Sequence, residues 1–225
     1  VIREYSSVIL LLGRYTSWND IWSYPGYKER DILPGDYKYE DWNGDGEING
    51  QDEHPFAFDQ TPWLQFSLNA GLQWKNLDFN MLLQGSALGS MEYKEPLHEI
   101  WGKNGGGALT QFLDRWHPVD PKADPYDPST VWTSGHYAYT GRWAKNNSAF
   151  NRVSTAYLRL KSIELGYTFP KLKQIPNASL RIYANAYNLL TFTGVKFVDP
   201  EHPDDDLGRM YPLNKTYTLG VSLSF

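Results

Sequence analysis

Cysteine is missing from all 225 residues. That excludes a disulfide scaffold and thiol chemistry while leaving the compartment open. Long apolar runs are missing too. None exceeds the five residues Val8–Leu12, which argues against a membrane-spanning helix and a signal-peptide core. Positive charge is not in excess: 21 Lys and Arg face 26 Asp and Glu, a formal charge of −5 with no basic block, so no nucleic acid partner is expected. Catalytic signatures are also lacking. The five histidines show no H-E-x-x-H spacing, and neither a G-x-S-x-G turn nor a phosphate-binding loop occurs. Carboxylates such as Asp120, Asp124, Glu201 and Asp204–Asp206 abound, and a glycosidase needs only two. Nothing in the spacing pairs them, so an enzyme is not expected.

What the chain does have is aromatics and alternation. Nine Trp and sixteen Tyr suit either an interfacial girdle or a sugar-binding surface. The stretch Lys215–Phe225, K-T-Y-T-L-G-V-S-L-S-F, places Tyr217, Leu219, Val221, Leu223 and Phe225 on one side of a strand. Small and polar residues fall on the other. Trp63–Trp74 alternates completely, with Leu64, Phe66, Leu68, Ala70, Leu72 and Trp74 against Gln65, Ser67, Asn69, Gly71 and Gln73. A tight turn at Lys75-Asn76 leads into a second alternating strand, in which Leu82 is the exception. Strands are expected near residues 6–15, 63–74, 77–88, 157–169, 178–190 and 215–225. In 157–169, Arg159 and Lys161 fall on the apolar side of a plain alternation. They sit above a membrane, or a bulge near Ser162 shifts the phase.

Connection lengths sort by side. The turns at Lys75-Asn76 and Pro170–Asn177 are short. Those around Asp41–Asp52, Gly89–Thr155 and Thr191–Leu213 are long. Short turns at one end and long loops at the other are the pattern of an outer-membrane barrel, and a strand of about ten residues is what such a barrel needs. A negative mean hydropathy agrees with this, since half of each strand and all the loops meet water. About six strands are too few for a large barrel. The chain, which starts at Val1 without a targeting segment, is therefore expected to be a piece of a longer protein or one part of a split one.

Asp41–Asp52 carries an EF-hand-type spacing. Asp41, Asn43 and Asp45 fall at positions 1, 3 and 5, Gly46 at the sharp turn, Glu47 at the carbonyl position and Asp52 at position 12, where Glu is usual. Oxygens at that spacing converge on a hard cation. Calcium is the expectation, with magnesium the other choice. The competing reading is an Asx-rich turn without metal. Ile48 is placed to anchor the loop to a core. In the long connection, Trp101, Trp132, Trp143, Tyr137 and Tyr139 are candidates for stacking on sugar rings, against the simpler role of packing the loop.

Several stretches, taken in order, resemble the SusC/RagA-like TonB-dependent outer-membrane transporters. They are G-D-Y-K-Y-E-D-W-N-G-D-G-E-I-N, F-L-D-R-W-H-P at Phe112–Pro118, A-Y-L-R-L-K-S-I-E-L-G-Y-T-F-P at Ala156–Pro170, Y-A-N-A-Y-N-L-L-T-F-T at Tyr183–Thr193, Asp199-Pro200-Glu201, Tyr211-Pro212 and the last strand. Val1–Asp31 matches poorly. The resemblance implies an all-β chain forming the C-terminal strands of a large antiparallel transmembrane β-barrel, 22-stranded when complete, with long extracellular loops. It implies the cell outer membrane, import of glycan oligosaccharides or peptides, and a SusD-like surface lipoprotein as partner. It also implies a plug and a TonB-contacting segment, both outside this sequence, besides the remaining barrel strands and the surrounding lipid. The rival is a secreted, calcium-stabilised β-module that binds glycans through exposed Trp.

Overall fold

The computed structural model describes residues 5–25, 32–94, 97–98, 109–139, 148–170, 178–202 and 208–225. In chain order the strands are β1 (Tyr5–Val8), β2 (Leu11–Arg14), β3 (Tyr37–Tyr39), β4 (His54–Phe58), β5 (Leu64–Trp74), β6 (Leu77–Ala87) and β7 (Ser90–Glu92). They continue with β8 (His117–Pro118), β9 (Trp132–Thr133), β10 (Arg152–Ser154), β11 (Tyr157–Phe169), β12 (Ser179–Thr193) and β13 (Thr216–Ser224). One helix, α1 (Trp18–Ser23), lies between β2 and β3. The chain divides into two compact units. One comprises Gln60–Gly89, Ser154–Pro203 and Met210–Phe225, the other Val1–Asp59, Ser90–Val153 and Asp204–Arg209.

The first unit is a five-stranded antiparallel sheet in the order β13-β12-β11-β6-β5. Alternation builds it. The register Phe66↔Gly85↔Leu158 and Leu72↔Phe79↔Leu165↔Ala184↔Leu219 carries one apolar row after another across the strands. Leu68, Leu72, Leu219 and Val221 are all more than half exposed on that side. A soluble protein would cover such a face; a bilayer does so without further structure. The opposite side holds Gln65, Ser67, Asn69, Asp78, Asn80, Gln84, Glu164, Arg181 and Asn185. Leu82 sits there too, between Asn69 and Ser162, which accounts for the break in its strand's alternation. Lys75 takes a left-handed φ of 54° to close the β5–β6 turn. Among the described residues both edges of the sheet, β5 and β13, leave ladder groups unpaired.

The puzzle at Arg159 and Lys161 resolves in favour of the bulge. Leu160 and Ser162 pair with Leu83 and Leu82 of β6 and with Leu190 and Tyr187 of β12, leaving Lys161 outside both ladders. Opposite it, Asn188 adopts φ 53°. The extra residue flips the phase of β11, so Tyr157 and Arg159 share the polar side with Glu164, Gly166 and Thr168.

The second unit corrects one expectation. Residues 6–15 do not form a single strand. They form β1, paired with β4, and β2, paired with β3, and neither joins the five-stranded sheet. Val8 and Ile9, adjacent in sequence, are both fully buried. A strand buries every second residue, so two in a row force a change of direction and of partner. Ile9 joins Tyr37, Tyr39, Ile48 and Ala138 in a small core, with Leu11, Tyr24 and Phe150 against it. Ile48 does anchor the acidic loop. Arg14 lies 3.9 Å from the centre of the Tyr37 ring and reaches the carbonyl of His136. The start of α1 is fixed by Ser17, whose hydroxyl accepts from the Asp20 amide. Leu109–Trp116 contains one 3-10 turn at Thr110–Leu113.

Candidate functional site: the acidic loop and the polar face of the sheet

The acidic loop closes on its own backbone. Asp41 Oδ1 accepts from the amides of Gly44 (2.8 Å) and Asp45 (3.2 Å), and Oδ2 from that of Gly46 (2.9 Å). Asn43 Oδ1 accepts from Asp45, and Asp45 Oδ1 from Glu47. Asn43 Nδ2 donates to Asp45 Oδ2 at 3.0 Å. Asp52, 1% exposed, accepts from Trp42 and Asn43 with Oδ1 and from Asn49 with Oδ2. So the residues at the EF-hand positions lie together, but their oxygens mostly face amides. Among the described residues no group of three or more His, Asp or Glu side chains is placed to hold a metal ion.

Asp52 is the keystone of that loop, which makes a prediction. Asp52→Ala strands three backbone donors in a buried site, at a cost of about 2–4 kcal/mol. Asp45→Ala removes exposed contacts and should cost under about 1 kcal/mol. Hydrogen exchange across residues 41–52, with and without chelator, reads both. Equal protection in the two variants would remove the keystone role.

The aromatic candidates divide. Tyr137 is packed edge-on against Phe112 at 4.6 Å and against Phe150 at 6.0 Å, and burial pushes its hydroxyl pKa up. Its backbone bonds to Trp116 and Asp114. Packing is its visible role. Trp132 meets Tyr139 edge-on at 5.2 Å, both half-buried. Trp101 and Trp143 lie outside the described residues. A group the sequence reading passed over is more open. Trp42 stacks on His54 with ring centres 3.8 Å apart, His54 meets Phe56 at 6.5 Å, and Trp42 and Phe56 are both more than half exposed. The i, i+2 spacing of His54 and Phe56 on one strand was the available signal.

The polar face of the sheet carries two ion clusters. Near the short turns, Arg181 of β12 bonds Asp78 of β6 (2.5 Å) and Glu164 of β11 (2.6 Å), and Glu164 also accepts from Asn185. To reach Asp78 the guanidinium must cross β11, and it does so over Gly166. A Cβ there would lie 2.5 Å from Arg181 Nη2 and 2.6 Å from Asp78 Oδ2. Gly220 likewise leaves room for the Tyr183 ring. At the other end, Arg159 Nη2 bonds both oxygens of Asp199 (2.8 and 2.9 Å), its Nε bonds Thr191, and its Nη1 lies 2.9 Å from Glu201. Lys161, from the bulge, pairs with Glu201 at 2.7 Å. Two cations and two carboxylates thereby fasten Asp199-Pro200-Glu201 to the strand. Sequence reading singled out that tripeptide but not its partners, because the bulge hides which side Arg159 faces.

No protein-family model matches the chain. Among curated proteins it is similar to TonB-dependent receptor P3 of Formosa agariphila, 28% identical over 211 residues covering 87% of this chain, and to TonB-dependent receptor P26 of the same organism, 27% identical over 96% of it. The chain spans only 19% and 22% of those two proteins. Among solved structures it resembles a chain of the RagAB peptide transporter, with a TM-score of 0.64 at 21% identity, covering 99% of this chain and 23% of that one. A closed-closed state of the RagAB peptide importer gives the same TM-score at 19% identity. At that identity the structural likeness speaks for the fold. These relatives are receptors and transporters rather than enzymes. TonB-dependent receptors are outer-membrane proteins, and the chain's place is the outer membrane. No described helix is long and apolar enough to cross a membrane.

Proposed function

We propose, from a resemblance to SusC/RagA-like TonB-dependent receptors that holds along nearly the whole chain, that these strands form part of the wall of a barrel that imports nutrients across the outer membrane. The observation that carries this is the five-stranded sheet, apolar on one side and lined with paired charges and amides on the other. Such a sheet suits lipid outside and a polar channel within. Closure needs the remaining strands, because β5 and β13 have open edges among the described residues. In this reading the complete protein holds a plug, takes energy from TonB and works with a SusD-like surface lipoprotein. The cargo is a glycan oligosaccharide or a peptide. Uptake of labelled oligosaccharides and peptides, in cells with and without TonB and with the gene deleted, tests it. Uptake that ignores both deletions would end the proposal. Recovery from buffer without detergent would favour the rival secreted module.

At the acidic loop we propose that calcium, or magnesium in its place, enters only by turning the Asn43 amide away from Asp45. Asp41, Asp45 and the Glu47 carbonyl could then face the ion, with Asp52 holding the loop closed. Calorimetric titration of calcium, repeated on Asp45→Ala, tests this; heat that is the same in both would count against it.

A further inference from the structure

On the polar face, beside the Arg159 cluster, the sheet and the following loop border an open cavity of about 600 Å³. That volume is in the range of small-ligand sites. Gln65, Ser67, Gln84 and Ser86 line it from β5 and β6, Tyr157 from β11 and Glu201 from the loop. The register explains the arrangement. Gln65 pairs with Ser86 and Ser67 with Gln84, so amides and hydroxyls alternate in a small lattice. Tyr157 continues the Ser86 row, and Arg159 continues the Gln84 row.

Three buried polar atoms at this place have hydrogen-bonding capacity left over. Ser86, 4% exposed, has no hydrogen-bond partner for its Oγ among the described residues. Arg159 Nη1 and Glu201 Oε1 attract each other at 2.9 Å, but neither makes an aligned hydrogen bond. One is a donor, one an acceptor, and the Ser86 hydroxyl is both. Buried groups are rarely left so without an ordered water, an ion or a ligand to meet them. Charge narrows the choice. Arg159 and Lys161 balance Asp199 and Glu201, so a charged ligand gains nothing from the site and loses hydration. A hydroxyl both donates and accepts, and adjacent hydroxyls could serve the lattice of amides and the leftover donor and acceptor together.

We propose that this cavity is a binding subsite for a neutral polyol, the vicinal hydroxyls of a saccharide ring, with Ser86, Gln84 and Glu201 as its hydrogen-bonding residues and the Arg159 cluster holding Glu201 in place. The proposal rests on the import reading and narrows the cargo at this site. The test uses the complete receptor in detergent, with a panel of neutral disaccharides and an uncharged tripeptide as probes, followed by calorimetry. Disaccharide binding should weaken about tenfold in Ser86→Val and in Gln84→Met, the scale of one lost hydrogen bond in a buried site. Heat-modifiable migration on a gel reports whether each variant is folded, and Gln84→Met, at the cavity wall, stands in if Ser86→Val does not fold. No disaccharide binding by the unaltered receptor, equal affinity in folded variants, or tripeptide binding with the same dependence would each overturn the subsite, the first leaving ordered water as its filler. TonB-dependent uptake measured beside these would survive failure of the subsite and vanish with failure of the import reading.

Discussion

Arg159→Met should be the most damaging single change in the sheet, costing about 3–5 kcal/mol. The side chain is 3% exposed and Asp199 9% exposed, and the guanidinium bonds both oxygens of Asp199 and the hydroxyl of Thr191 and faces Glu201 at 2.9 Å. Methionine preserves the apolar stem but leaves two carboxylates with Lys161 alone. Removing one partner of a buried ion pair costs far more than the pair contributes in net terms, because the remaining charge has lost its water. The effect should be local as well as global. Protease cleavage within residues 199–202 should appear in the variant before the barrel unfolds. Asp199→Asn, which keeps the hydrogen-bonding shape, should cost about half as much. An Arg159→Met variant that unfolds within about 0.5 kcal/mol of the parent would show that solvent reaches the cluster, and the loop would then be held by something else.

The second large effect concerns facing. Leu68→Arg should cost about 2–4 kcal/mol in a bilayer, since Leu68 is mid-strand on the apolar side and pairs with Leu83. Ser67→Arg, one residue away, points to the polar side and should cost under about 1 kcal/mol. The comparison is sharper than either value. Reversible unfolding from liposomes measures it, and a silent Leu68→Arg beside a damaging Ser67→Arg would invert the sheet.

The sheet was legible because its physics is local. From Leu64 to Trp74, and again from Thr216 to Ser224, which side a residue faces follows from counting by two. Counting fails where an extra residue enters. At Lys161 the sequence left two readings open, and only the pairing of Leu160 and Ser162 with both neighbouring strands chooses between them. The second unit was hardly legible. Val8 and Ile9 are both buried, Ile9 by distant segments such as Tyr37 and Ala138, and no pattern within residues 6–15 reports that. In the acidic loop the spacing located the right residues. It could not say whether their oxygens meet an ion or an amide, because carboxylates satisfy both at the same positions.

The two glycine notches bear on a different problem, the uniqueness of strand register. An alternating sheet is degenerate to slips of two residues, since every apolar side chain lands on the apolar side again. Lipid cannot detect such a slip. The notches can. Sliding β12 by two residues against β11 would carry Arg181 off Gly166 and into the Cβ of Glu164 or Thr168. Sliding β13 against β12 would set the Tyr183 ring against Thr218 or Ser222 in place of Gly220. Each misalignment buries a steric clash or strands a charge. The glycines thus work as detents, so that the same hydrophobic pattern which drives insertion can stop at one alignment among several otherwise equivalent ones.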